Sequence, residues 1–239
     1  MALIRPQEAI LFYKNTKIIK QPVLDFGCGD GFFAETVFGK TIIDVGLDLA
    51  NSRAIEAKKN RVYKKVTYYD GKTIPYPNNY FNTVISNCVL EHIPNLDKAL
   101  EEIYRVLKPG GIFMTTVMTN EWEKHLFGSK ILGKFYVDWL RKIQEHFNLL
   151  SEQDWKSKFE KNGFTINKIG GYVSPKNALY LDLLHYFSLP SLISYKLFRK
   201  WSLNLLKPSK LLINFVERNI SLNYNNNKSA ALFIILTKK

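Results

Sequence analysis

The chain has 239 residues, 46% hydrophobic and 23% charged, and its 34 basic against 21 acidic side chains give a formal charge of +13. That length suits one large domain, alone or with an appended lid, which buries about 70–75% of its unfolded surface without disulfide or metal staples. An aromatic fraction of 14% beside ordinary apolar content excludes wholesale disorder, and two cysteines, Cys28 and Cys88, form neither a disulfide framework nor a zinc pattern.

Both thiols are therefore expected to be reduced, in a cytoplasmic protein. Arg5, Pro6, Gln7 and Glu8 stand where a signal peptide would need an apolar run. No apolar stretch of about 18 residues occurs, so no spanning helix is expected. The net charge permits contact with anionic lipid or nucleic acid and decides neither.

In chain order, residues 1–19 are expected to form a leading helix. Val23-Leu24-Asp25-Phe26 is a short apolar strand ending in Gly27-Cys28-Gly29-Asp30-Gly31, and Phe32 to Val37 is helix-like. Thr41 to Leu47 is a second strand closed by Asp48, followed by a helical stretch from Asn51 to Lys59. Val66 to Tyr69 is a third strand, ending at Asp70-Gly71, and Phe81 to Ser86 a fourth. Leu96 to Leu107 has apolar residues at 96, 99, 100, 103, 106 and 107, the spacing of one helical face. Lys108-Pro109-Gly110-Gly111 should break it before a fifth strand, Ile112 to Val117. Asn120 to Leu150 predicts one or two helices outside the sheet, Ser151 caps a helix running to Lys161, and Phe164 to Ile169 is a sixth strand. After a long excursion, Ala230 to Leu236 is the seventh. Near-continuous apolar strands alternating with amphipathic helices imply an α/β fold, a doubly wound and mostly parallel sheet covered on both faces.

Ligands of such sheets lie beyond the carboxyl ends of the strands, near the point where strand order reverses. There Gly27, Gly29 and Gly31 allow backbone to approach a ligand, and Asp48 is placed to accept hydrogen bonds from a ribose diol. Asp70 is placed to receive an exocyclic amine or to support the loop around an adenine. Asp25 and Asp30 add negative potential, which suits a cationic cofactor better than a pyrophosphate. A dinucleotide loop counted from Gly27 would need glycine at Phe32, and counted from Gly29 it would put Asp30 against the phosphates. A bare connecting turn is the plainer alternative.

These segments resemble the class I, Rossmann-like S-adenosylmethionine-dependent methyltransferases. Val23 to Gly31 is similar to their first motif, Gly46-Leu47-Asp48-Leu49 to their ribose-binding strand end, and Tyr69-Asp70-Gly71 with Ile74 to Phe81 to their adenine-side loop. Ser86-Asn87-Cys88-Val89-Leu90-Glu91-His92-Ile93 and Arg105 to Gly111 resemble the fourth- and fifth-strand motifs. Asn82 departs from the aspartate usual after Phe81. The resemblance implies S-adenosylmethionine as cofactor, with Asp25, Gly27, Cys28 and Gly29 around its methionine end and Asp48 with Leu49 at the ribose. Asp70 and Gly71 would flank the adenine, and Asn87 would lie behind the sulfonium. It further implies seven strands with an antiparallel last strand and a core at 20–171 and 228–239, the N-terminal helix lying over the pocket.

Methyl transfer is an in-line displacement in which alignment supplies much of the rate, and a base is needed only where the acceptor must lose a proton. His125 is the first candidate base, with His92 and His146 behind it; each also has ordinary structural uses. Glu121, Glu123 and His125 are too local for a metal site, so none is expected.

Residues 172–227 are expected to form a helical cap inserted before the last strand. From Tyr172 to Asn223 it carries seven Lys or Arg against two acids, set among Leu, Phe, Tyr and Trp. This segment suits an anionic membrane surface, a lid over an apolar substrate, a subunit interface or a plain cap with a solvated basic face. Asn87-Cys88-Val89-Leu90 stands where base N-methyltransferases carry a polar-Pro-Pro-aromatic motif, which argues against nucleic acid. The expected acceptor is a small molecule, sugar or lipid-linked compound methylated at oxygen or carbon; the alternative is a cofactor-binding scaffold without turnover. No obligate protein partner is evident.

Overall fold

The computed structural model describes residues 4–39, 43–50, 53–59, 61–187 and 228–239. Its strands are β1 (Val23–Phe26), β2 (Ile43–Leu49), β3 (Tyr63–Tyr69), β4 (Phe81–Asn87), β5 (Leu107–Met118), β6 (Phe164–Gly171) and β7 (Ala231–Lys238). The helices are α1 (Arg5–Lys14), α2 (Phe32–Phe38), α3 (Ala54–Ala57), α4 (Leu96–Val106), α5 (Glu121–His125), α6 (Phe127–Gln144), α7 (Glu152–Lys161) and α8 (Pro175–Phe187).

The strands form one sheet in the order β3-β2-β1-β4-β5-β7-β6. β1 to β5 pair in parallel, and β7 runs antiparallel to both β5 and β6. The last strand is thus the reversed one, as expected, and it is threaded between β5 and β6 instead of being added at an edge. It can sit there because it is buried along nearly its whole length, as an interior strand with both faces covered must be.

Alternate strand residues feed two cores. Val23, Ile43, Ile85 and Met114 pack under α1, α2 and α3, while Leu24, Phe26, Val84 and Phe113 pack under α4 and α7. α4 buries Leu96, Leu100, Ile103 and Val106, and Asn95 caps it by accepting from the Lys98 amide. Ser151 caps α7 in the same way through the Asp154 amide. No helix among the described residues is long and apolar enough to cross a membrane.

Several boundaries depart from the sequence reading: β3 begins at Tyr63 and β2 runs on to Leu49, and two further departures lie in β5 and at the end of β6. β5 begins at Leu107, so Lys108-Pro109-Gly110-Gly111 is a bulge within a strand. Phe81 pairs with Leu107 and Thr83 with Ile112, which loops out the residues between; Gly110, at φ +72°, turns the chain there. The ladder also outlasts Ile169. The Tyr172 amide donates to Ala231 O and the Ala230 amide to Val173 O. Ser229 Oγ then accepts from the Val173 amide and donates to Val173 O. The excursion after Val173 therefore leaves and re-enters through a hydrogen-bonded neck. Of the expected cap, α8 is seen; 188–227 lies outside the described residues.

Trp155 is fully buried, stacks on Phe159 at 5.7 Å between centroids and donates from Nε1 to Met118 O at 3.0 Å. Trp155→Ala should cost about 3–5 kcal/mol of unfolding free energy in urea titration. Trp155→Phe should recover most of that, the remaining deficit being about 1 kcal/mol for the lost hydrogen bond.

Candidate active site

The turn after β1 folds back onto β2, with the amides of Gly27 and Cys28 both donating to Leu47 O. Gly27 has φ +78°, and a Cβ there would lie 2.4 Å from a Val89 methyl. Gly29, at φ +54°, faces open space instead. Beside it Asp48 accepts from the Gly29 amide through Oδ2 and from the Leu49 amide through Oδ1, each at 2.7 Å. Bare backbone next to a half-buried carboxylate at two neighbouring strand ends is what a ribose and an amino-acid tail require. The donor set fits an adenosyl amino-acid cofactor.

On the β3 side, Asp70 Oδ1 accepts from the amides of Lys72 and Thr73. These bonds hold its carboxyl below the usual range and shape the loop. A Cβ at Gly71 would come within 3.2 Å of Leu49 Cδ2, so Leu49 and Gly71 face each other across the ends of β2 and β3. The following loop is clamped from α4. Glu102 accepts from the Ile74 amide, and Arg105 donates to Ile74 O, Tyr76 O and Asn78 Oδ1. Asn82 hydrogen-bonds to the segment before β1, through Gln21 O and Pro22 O.

Asp25 and Asp30 turn out to differ. Asp25 is buried and accepts from Tyr63 Oη at 2.5 Å. Burial pushes its carboxyl up to about 7; the Tyr63 bond opposes this and Asp48 adds to it. Asp30 is paired at 3.1 Å with Arg53, an exposed guanidinium that it shares with Glu56. Burial also pushes the Cys28 thiol up, leaving it protonated.

At the end of β4, Asn87 Oδ1 accepts from Thr116 Oγ1 and its Nδ2 donates to Glu8 Oε2 at 2.9 Å. Glu8, fully buried on α1, also pairs with Arg5 at 3.0 Å and accepts from Tyr172 Oη and the Cys88 thiol. Cys88 has φ +52°, a sparsely populated conformation for a side chain of this kind. Beyond it lies a small pocket of about 60 Å³ lined by residues from α1, the turn after β4, the end of β5, α5 and the end of α6. His92 and His146 both line it, their rings 4.8 Å apart. Burial lowers both imidazoles, His146 to about 4.

His125 is placed elsewhere. Its Nε2 lies 3.1 Å from Glu121 Oε2 one turn away, and it is not among the residues lining the cavity. Sequence reading missed Glu8, Trp122 and Gln144, which carry no motif of their own and reach the cavity from α1, α5 and α6. Glu91 sat inside a quoted motif but was given no role. Among the described residues no group of three or more His, Cys, Asp or Glu could hold a metal ion.

A family model described as a methyltransferase domain matches residues 5–169. A ubiquinone biosynthesis O-methyltransferase of Bartonella tribocorum is 25% identical over 183 residues, covering 72% of this chain and 70% of that protein. A malonyl-[acyl-carrier protein] O-methyltransferase of Yersinia pestis is 35% identical over 100 residues, which is 41% of this chain but 37% of that protein. Among solved structures, a Haemonchus contortus phosphoethanolamine N-methyltransferase 2 holding phosphomonomethylethanolamine and S-adenosylhomocysteine shares the fold at TM-score 0.61 and 20% identity, over 98% of this chain and 52% of that one. With the family model running from α1 into β6, the chain belongs to the methyltransferase-domain family, and its crevice is that of a class I S-adenosylmethionine-dependent methyltransferase.

Proposed function

We propose that this chain methylates oxygen or carbon of a small-molecule, sugar or lipid-linked acceptor. The observation that carries the reading is the double anchoring of Asp48 beside the open face of Gly29. In this reading Asp25, Gly27, Cys28 and Gly29 hold the methionine end, Asp48 and Leu49 the ribose, Asp70 and Gly71 the adenine edge, and Asn87 backs the reacting centre. The cofactor supplies a methyl group on a positively charged sulfur that leaves as a neutral thioether. The protein's part is alignment, because a displacement at carbon is governed by the approach angle and distance of its two partners. Asn87, braced from β5 and α1, gives that approach a rigid wall.

Cytoplasmic location and contact with anionic lipid complete the proposal. Both cysteines are free thiols. Past the kink at Gly133, α6 exposes Phe135, Trp139 and Ile143 at four-residue spacing, with Lys142 alongside and Lys134 paired to Asp138. An apolar stripe bordered by cations suits a membrane surface. Nucleic acid is not proposed as a partner.

Calorimetry with S-adenosylmethionine and S-adenosylhomocysteine, followed by radiolabelled transfer into cell extract, tests the central reading. Asp48→Ala should weaken cofactor affinity by at least tenfold, about 1.4 kcal/mol or more, with little change in Tm. Tight binding with no label transferred to any fraction would favour the scaffold alternative. Asp25 makes a second outcome specific. Its folded carboxyl lies above its unfolded value, so its stability contribution is complete below about pH 4 and lost as pH rises to about 7. A cationic ligand favours the ionised form, so cofactor affinity should rise with pH and level off above about 7; Asp25→Asn should flatten that profile. For the membrane contact, vesicles containing phosphatidylserine should carry the wild-type chain in flotation and carry Phe135→Glu/Ile143→Glu several-fold less, and equal flotation would remove it.

A further inference from the structure

We infer, on the methyltransferase reading above, that Tyr63 is a positioning residue for the methyl donor, holding the Asp25 carboxyl where that reading puts the donor's amino-acid tail. Asp25 lies on β1 and Tyr63 on the edge strand β3, with β2 between them. The phenol reaches over β2 to donate to Asp25 Oδ2 at 2.5 Å. It can do so because Gly46 of β2, the register partner of Asp25, has no side chain. A Cβ there would lie 3.1 Å from Tyr63 Cδ1 and Cε1 and from Cys28 Sγ. Gly46 is not among the residues of positive φ, so its backbone needs no glycine; what the missing side chain supplies is room for the ring.

A buried tyrosine hydroxyl ordinarily finds some partner. This one has taken a carboxyl that nothing else in the fold compensates. Among the described residues Tyr63 is the one hydrogen-bond partner of the Asp25 carboxyl, and Asp25 keeps 6% of its surface accessible. The titratable groups facing it are Tyr63, Asp48 at the end of β2 and the Cys28 thiol, with Asp30 farther along the turn and paired to Arg53. Glu8 of α1 is committed to Arg5 and Asn87. α2 and α3, packed on the same face, bury only Ala34, Val37, Phe38, Ala54 and Ala57. No cation in this set acts on Asp25, so the ammonium of an amino-acid tail supplies the missing charge.

The phenol does two things for that contact. Its bond fixes which carboxyl oxygen is turned inward, and by donating to the carboxylate it favours the charged form against burial. Burial pushes Asp25 up to about 7 even with this bond in place; without it, the charged form is reached only at higher pH. Burial and the neighbouring carboxyls push the Tyr63 phenol up, so it remains a donor throughout the neutral range.

The test is calorimetry of the full chain with S-adenosylhomocysteine and with 5′-methylthioadenosine, which lacks the amino-acid tail. No binding of S-adenosylhomocysteine to the wild type would sink the cofactor reading, and the role of Tyr63 with it. With binding present, Tyr63→Phe, which removes only the hydroxyl, should bind S-adenosylhomocysteine about tenfold more weakly at neutral pH and methylthioadenosine equally well. Raising the pH to about 8.5 should restore most of the loss, because the carboxyl then ionises without help; it should restore nothing in Asp25→Asn. Added to Asp25→Asn, Tyr63→Phe should weaken binding by about twofold at most, since the two act as one unit. Unchanged binding of S-adenosylhomocysteine by Tyr63→Phe overturns the assignment with the cofactor reading intact. Equal losses for both ligands, or the same loss at every pH, mark a tyrosine that only packs and overturn it too. Wild-type protein carrying 13C-carboxyl aspartate gives a readout free of mutant folding: one carboxyl should titrate near pH 7 and stay ionised through that range in the S-adenosylhomocysteine complex. No aspartate behaving so would likewise overturn it.

Discussion

The site depends on one feature of the sheet: at the seam between β1 and β4 the chain departs in opposite directions. β2 and β3 are laid down on one side and β5 on the other, and because crossovers of parallel strands are right-handed, their helices fall on opposite faces. α2 and α3 accordingly pack in one core and α4 in the other. The hydrogen bonds at the strand ends follow the same parting. Gly27 and Cys28 lean toward β2 through Leu47 O, while Cys88 leans toward β5 through Thr116 O. The two loops touch where Val89 fills the space that a side chain at Gly27 would need.

Three buried carboxyls around the crevice are treated in three ways. Glu8 is satisfied on every side, by Arg5, Asn87, Tyr172 and Cys88, and so ties α1 to the ends of β4 and β6. Asp25 has a single partner, Tyr63, which fixes its orientation and leaves its charge uncompensated. Glu91 has none. Leaving a buried group unpaired costs about 1–3 kcal/mol, more when it is charged.

The half of the site made by β1, β2 and β3 was legible in the sequence because its information is local. Each glycine or aspartate there acts at the end of the strand that precedes it, so the order Gly27 to Gly31, Asp48, Asp70 could be read along the chain. Asp30 shows the limit of such reading: its partner Arg53 lies in the next crossover, and nothing in the motif announces it. The β5 boundary was misplaced for a related reason. Pro and Gly usually end an element, but β5 absorbs Lys108 to Gly111 as a bulge because β4 pairs on both sides of it. Residues of the cavity were least legible. Glu8 and Asn87 are 79 positions apart and meet only after α1 has docked, and Trp122 and Gln144 are single polar atoms on helices whose other faces looked like ordinary packing.

That contrast has a physical source in how the two halves are supported. The cofactor side is built on backbone amides and strand ends, where a shift of one residue would turn every side chain to the other face. The pocket beside it is walled by α1, α5 and α6, which pack on the sheet from outside. α8 is tied to them by Asp182, which accepts from the Gly128 amide and from Tyr136 Oη. α8 in turn hangs from the neck at Ser229, where the excursion begins and ends within the span of a single pair of backbone bonds. Closing a longer loop at such a neck costs little more than closing a shorter one, since the entropy grows only with the logarithm of its length. Chain can therefore be added or rebuilt beyond Val173 without disturbing the sheet register on which the strand-end loops of β1, β2 and β3 are built.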